Sequence, residues 1–296
     1  MTKLVTVANL WTLNRHPRPG RPWSLERKIA AVAEAGFDGL MAALTPEHAR
    51  LAERHGVAHR IGFVVAKDLS ADFGALLRAQ KDAGAVRVNV HLGGHDTPPR
   101  MAADQWARLV DAAERIGGLE VSLETHRDTC TETPEKTYEL AARHRKSTGA
   151  WPRFTLDFSH WAVVKHLQAG NYLERLLDRP ELLAGAEQIH FRPFNGHHCQ
   201  VPVTWRGRLT TEAETYFAFA RTVMTRWRDA RRDDERTLFA CPEMGPDLED
   251  GSGYAITGFP PAWTDAVRLR TELLKLWRRA GAGPGGLRPS ARTVRG

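Results

Sequence analysis

Four short apolar runs in the second half of the chain each end on an ionisable side chain. VSLE closes on Glu124, TLD on Asp157, QIH on His190 and ACPE on Glu243. If these runs are consecutive parallel strands of one closed sheet, the four side chains reach a common rim, where the loops after the strands form a concave face. Three carboxylates gathered away from water repel one another too strongly to stay ionised unless a cation neutralises them. Any one of them alone would be read as a helix cap or an arginine partner; four from consecutive strands argue for a metal site. Three carboxylates and one imidazole are a hard, oxygen-rich donor set. It suits Mn2+ or Mg2+ best and is compatible with Co2+, Zn2+ or Fe2+.

Other polar residues crowd the same places. His126 lies two residues beyond Glu124 and faces the same side if the extended geometry persists. His91 ends the run VNVH. Either can hydrogen-bond a substrate hydroxyl, relay a proton or pack as a structural polar group. His197 and His198, with Gln200 after them, sit on a turn-prone loop and belong either to the pocket or to solvent. Trp11 either stacks on a sugar ring or packs. Arg127 either anchors an anion or pairs with Asp128, and the pairing is the simpler reading.

The elements that must position these groups alternate along the chain. Strand candidates are Leu4–Asn9, Phe37–Ala42, Arg60–Val65, Val86–His91, Leu119–Glu124, Phe154–Asp157, Gln188–Phe191 and Thr237–Cys241. Helical spacing marks Ser24–Ala35, a helix capped by Thr45 and Pro46 that stops at Gly56, Met101–Ile116, Glu135–His144, Trp161–Leu177, Thr211–Asp229 and Trp263–Arg279. Strands alternating with helices imply parallel pairing through crossovers, and eight such units close into a (β/α)8 barrel. A doubly wound open sheet is the competing architecture, but Asn9–Pro22 lacks its Gly-rich turn. The expected organisation is one barrel over residues 1–280 and a flexible Gly/Pro-rich tail over 281–296.

The 296 residues are 42% hydrophobic and 26% charged, with nothing of a disordered or disulfide-dense chain. Cys130, Cys199 and Cys241 have no CxxC spacing, which suggests a reducing, cytoplasmic setting and does not support a cysteine-rich zinc site. No apolar run approaches the roughly 20 residues of a membrane span, and Leu4–Leu10 is too short and polar for a signal peptide. The net charge of +7 hints at nucleic acid. Its distribution argues otherwise: Arg288, Arg292 and Arg295 lie in an acid-free tail, and Arg226–Arg236 is interleaved with Asp229, Asp233, Asp234 and Glu235. No nucleic-acid or membrane partner is expected.

The motifs ETHRDT (124–129), DFSHW (157–161), QIHFRP (188–193), PEMGP (242–246) and GYAITG (253–258) resemble the xylose isomerase-like TIM-barrel superfamily, which includes sugar epimerases, inosose dehydratases and AP endonucleases. The resemblance spans about Lys3 to Arg279. It implies that Glu124, Asp157, His190 and Glu243 bind one divalent metal, and that Glu124 and Glu243 also act as base and acid. It further implies that His160 contacts substrate, as does Arg192, the nearest arginine past the seventh strand. The loop Arg192–Gln200 departs from the epimerase pattern.

The implied chemistry is proton abstraction α to a carbonyl of a sugar or other hydroxy-carbonyl substrate, through an enediolate, giving an isomerase or epimerase. If a β-hydroxyl leaves instead, the enzyme is a lyase. A natural-product tailoring enzyme on a larger keto compound is a further alternative, given the divergent loops Phe191–Thr204 and Gly245–Pro261. A zinc-dependent AP endonuclease is disfavoured, because IGFVVA ends without a histidine. A binding barrel without chemistry has no need of two metal-bound glutamates. Association into a homo-oligomer is left open.

Overall fold

The computed structural model describes residues 2–18, 20–230, 236–246, 253–254 and 259–280. Eight parallel strands close into a barrel: β1 (Lys3–Asn9), β2 (Gly39–Ala42), β3 (His59–Ala66), β4 (Arg87–Leu92), β5 (Glu120–Glu124), β6 (Phe154–Leu156), β7 (Ala186–Phe191) and β10 (Thr237–Pro242). β10 pairs with β1 to complete the ring, Lys3 to Thr6 lying opposite Thr237 to Ala240. Each expected strand is present within two residues of its expected bounds. The expected tail, 281–296, lies outside the described residues.

Helices cover the outside. α1 (Leu25–Glu34) starts where the Ser24 hydroxyl accepts from the backbone N–H of Arg27 at 3.2 Å. α2 (Pro46–Arg54) starts on Thr45 with Pro46 in its first turn, and Gly56 takes the left-handed conformation just past its end. α3 (Phe73–Asp82) has no counterpart in the sequence reading. It begins on an Asp72 cap and buries Phe73 and Leu77, but an interior Gly74 and few large apolar residues disguise it. α4 (Pro99–Ile116) and α5 (Pro134–Thr148) follow as expected.

The expected helix Trp161–Leu177 is broken. α6 (Phe158–Val164) stops, His166 turns left-handed at φ 49°, and Ala169–Asn171 forms one 3-10 turn before α7 (Tyr172–Leu176) and α8 (Pro180–Gly185). The reason is a crossing: a Cβ on Gly196, in the loop after β7, would lie 2.4 Å from the Leu167 carbonyl oxygen. The chain bends to let that loop pass. The apolar spacing itself is real, since Trp161, Leu167, Tyr172 and Leu176 are all buried. The same loop carries an unexpected hairpin, β8 (Thr204–Trp205) against β9 (Arg208–Leu209), turned by Arg206 and Gly207 at φ 48° and 78°. α9 (Thr211–Asp229) and α10 (Ala262–Ala280) complete the outer layer.

Most of the core lies between strands and helices, and includes the fully buried Trp106, Trp161 and Trp227. A smaller cluster, Val7, Met41, Ile61 and Cys241, packs with Val5 and Phe239 on the strands. Arg87 closes the N-terminal end of the barrel. Its 5% exposed side chain pairs with Glu120 on β5 and Glu187 on β7, and lies 5.2 Å over the Phe239 ring on β10. Cys130, Cys199 and Cys241 are free and buried. Among the described residues no helix is long and apolar enough to cross a membrane.

Candidate metal centre

Strand periodicity builds the site. Val7, Asn89, Ser122, Thr155, Gln188 and Cys241 are all fully buried. Two residues further along each strand, on the same face, come Asn9, His91, Glu124, Asp157, His190 and Glu243. The lower row is tied across strands, with Ser122 Oγ 2.7 Å from Thr155 Oγ1. The upper row is the rim at the C-terminal ends of the strands.

One ligand atom from each of Glu124, Asp157, His190 and Glu243 falls within 4.8 Å of the others, and none of the four is more than 6% exposed. His190 Nδ1 lies 3.1 Å from both Glu124 Oε1 and Glu243 Oε2 yet has no hydrogen bond to either. The outer oxygens are held separately. Glu124 Oε2 accepts from Asn89 and lies 2.8 Å from His91 Nε2, and Glu243 Oε1 accepts from Asn9 Nδ2 at 2.7 Å. Asp157 serves two structures at once: Oδ1 accepts the Ser159 N–H at 2.9 Å, capping α6, while Oδ2 faces the Arg192 guanidinium.

This donor set fits a divalent ion. Nδ1, 3.1 Å from two buried carboxylates but hydrogen-bonded to neither, can supply an imidazole ligand beside the three carboxylates. Gln188 supports it from behind. Its amide is 2.8 Å from His190 Nε2, and its Oε1 has no partner. With Oε1 turned to accept from Nε2–H, the Nδ1 lone pair is left for the ion.

Without an ion the site is strongly polarised. Burial opposes the charge on His190, but Glu243 and Glu124 outweigh it and hold the imidazole pKa well above its ordinary value. Burial likewise opposes the charge on Glu243, but His190 and Arg192 pull its pKa down to about 2. Glu124 is held low against its own burial by His190 and His91. Asp157 is raised, by burial first and then by the charge of Glu243. Burial and the neighbouring His91 push His126 down to about 4, so it is neutral at physiological pH.

All eight site residues read from the sequence converge. A cavity of about 400 Å³ opens above the carboxylates, and His91, His126, Arg192, Glu124 and Glu243 line it. His160 lies deeper. It is fully buried, its Nε2 3.0 Å from Arg192 Nη2 and its ring centroid 3.9 Å from that of His126. The cavity lining also includes the apolar Leu10, Trp11, Leu25 and Phe63 and the polar Asn14, Lys28 and His48. Tyr254 borders the cavity, with Arg127 and Arg192 over its ring at 4.9 and 4.8 Å.

The pairing of Arg127 with Asp128 is not formed. Asp128 adopts φ 58° and turns to Lys67 and His95, while Arg127 Nη1 points to Cys199 Sγ at 3.4 Å. His197 and His198 are exposed, and Gln200 is buried, clamping both backbone groups of Gly245 at 2.6 and 2.9 Å. The sequence reading passed over Asn9, Asn89, Gln188 and Lys28. For Asn9 a signal existed, since it ends the first strand just as the four ionisable residues end theirs. Of the GYAITG motif only Gly253 and Tyr254 are among the described residues.

No family model matches the chain, and no curated protein matches it. Solved structures do. A Rhodospirillum rubrum protein assigned as a xylose isomerase aligns with TM-score 0.61 at 14% identity, covering 93% of this chain and 99% of that one. The chain has the fold of the xylose isomerase-like barrels. A 3-keto-D-glucoside 4-epimerase, YcjR of E. coli, aligns with TM-score 0.53 at 16% identity over 93% of this chain and 100% of that one. AsbF of Bacillus anthracis, assigned as a 3-DHS dehydratase involved in petrobactin synthesis, aligns with TM-score 0.53 at 15% identity over 93% and 98%.

Proposed function

We propose that this chain is a divalent-metal-dependent isomerase or epimerase acting on a sugar or other hydroxy-carbonyl compound. The observation that carries the reading is the buried cluster of three carboxylates with His190, whose Nδ1 lies 3.1 Å from both Glu124 and Glu243. Glu124, Asp157, His190 and Glu243 hold the ion, and Mn2+ suits the donor set best. When bound, it supplies positive charge for the substrate oxygen on which enediolate charge develops, worth several kcal/mol.

The two glutamates divide their oxygens. Glu124 Oε1 and Glu243 Oε2 face His190, which leaves Glu124 Oε2 and Glu243 Oε1 for the proton. One removes the proton α to the carbonyl and the other returns one, positioned acid–base work worth about 10²–10⁴-fold. His91, 2.8 Å from Glu124 Oε2, can pass that proton onward, and Asn9 orients Glu243 Oε1. The neutral His126, whose Nδ1–H donates to the Arg127 carbonyl, accepts from a substrate hydroxyl through Nε2. Arg192 holds Asp157, and His160 Nε2 accepts from the same guanidinium.

The apolar lining residues Leu10, Trp11, Leu25 and Phe63 favour a second reading: a lyase or tailoring enzyme for a larger keto compound, in which a β-hydroxyl leaves from the same intermediate. Metal analysis by mass spectrometry, with solvent-deuterium exchange over ketoses, inososes and 3-keto glycosides, tests both. Deuterium incorporation that disappears in Glu243→Gln is expected. Incorporation that survives both Glu124→Gln and Glu243→Gln refutes the mechanism, and loss of a β-hydroxyl from the exchanging substrate selects the lyase.

A further inference from the structure

Arg192 is built into the centre more deeply than a substrate anchor needs to be. Its side chain is 2% exposed. Nη2 lies against Asp157 Oδ2, 3.3 Å from Glu243 Oε2 and 3.0 Å from His160 Nε2. Tyr254 packs against the guanidinium. A buried cation is tolerated only when paired, and this one is paired with two of the four residues proposed to hold the ion. Three carboxylates and one guanidinium leave two negative charges, and the imidazole is neutral once Nδ1 turns to the ion.

We infer that Arg192 is a fixed counter-charge that sets the charge of the ion the centre accepts. It is a positioning residue, acting through Asp157 and Glu243, and the inference rests on the proposed metal reading. With Arg192 in place a divalent ion brings the buried centre to neutrality, whereas a trivalent ion leaves one uncompensated charge where water cannot screen it. The same balance excludes a second divalent ion in the neighbouring trio His91, Glu124 and His126, although its ligand atoms also lie within 4.8 Å of one another. The only carboxylate of that trio is Glu124, which the first centre already uses.

The test titrates the metal-free full-length chain with Mn2+ and with Tb3+, both oxygen-preferring ions, and counts bound ions by mass spectrometry. Comparing the Tb3+/Mn2+ affinity ratio between variants removes the difference in ionic size. Wild type binds one Mn2+ per chain. Arg192→Met removes the charge and keeps most of the volume, and its ratio rises by at least about tenfold. Arg192→Lys keeps the charge and loses the fork, and its ratio stays within about threefold of wild type. An unchanged ratio in Arg192→Met overturns the inference. So does a Lys variant with the ratio expected for Met, or two Mn2+ ions per wild-type chain. If Arg192→Met does not fold, Arg192→Gln, which also removes the charge, is read in its place with the same expected rise. A wild-type chain that binds neither ion refutes the proposed function itself, a result distinct from all of these.

Discussion

Binding a metal ion at this centre displaces a proton, and the displacement sets a measurable pH dependence. In the metal-free chain the His190 imidazole is held protonated by Glu124 and Glu243, each 3.1 Å from Nδ1. An ion needs the lone pair of that nitrogen, so about one proton leaves for each ion bound. Below the raised pKa of His190, each pH unit costs the competing proton about 1.4 kcal/mol, and the apparent Mn2+ affinity rises about tenfold per unit. Titration calorimetry at pH 6, 7 and 8, in two buffers of different ionisation enthalpy, reads both the slope and the proton count. The stability of the metal-free chain moves the opposite way. A folded-state pKa raised above the unfolded value of about 6.5 stabilises fully below that value, and the stabilisation fades as pH climbs through the folded pKa. The metal-free melting temperature therefore falls across this window, while the metal-bound one holds. An affinity flat with pH, with no proton released, would show that His190 is not the ligand and would refute the reasoning.

Two further outcomes are expected. Gln188→Leu leaves His190 Nε2 without its amide partner and weakens Mn2+ binding about 10–100-fold with little change in thermal stability, measured by competition against a fluorescent chelator; unaltered affinity would remove Gln188 from the design. Arg87→Met removes the most buried of the three guanidinium groups around the Glu187 carboxylate, itself only 13% exposed, leaving Arg153 at 3.6 Å and Arg236 at 3.9 Å, and destabilises the chain by about 2 kcal/mol. That lowers the melting temperature by roughly 4–8 °C without affecting Mn2+ affinity, and a melt matching wild type would contradict it.

The barrel was legible because each of its strands is a short apolar run bounded by turn residues, and the carboxylates stood out because strands rarely end on charges. Where the reading faltered, the deciding interaction was long-range. The apolar spacing of Trp161–Leu177 is the pattern of a helix, and nothing local records that Gly196 must cross at Leu167. Asp128 sits beside Arg127 in sequence, yet a left-handed backbone sends it to Lys67, 61 residues away. Gln188 and Asn89 look like ordinary strand polar residues until the closed sheet turns them inward beneath the rim. Types and spacing thus announced the ionisable residues, whereas Gln188 and Asn89, which orient them from the row below, emerged only from the barrel register.

Arg87 gives the molecule a second cationic closure, of a different kind from the first. At the N-terminal end the positive charge is covalently part of the chain, made once at synthesis and bridging β4, β5, β7 and β10. At the opposite end, under the proposed function, it would be borrowed from solution and returnable. Folding and cofactor supply would then be uncoupled: a cell short of metal would accumulate an intact but idle barrel that regains its charge on contact with the ion, with no need to be made again.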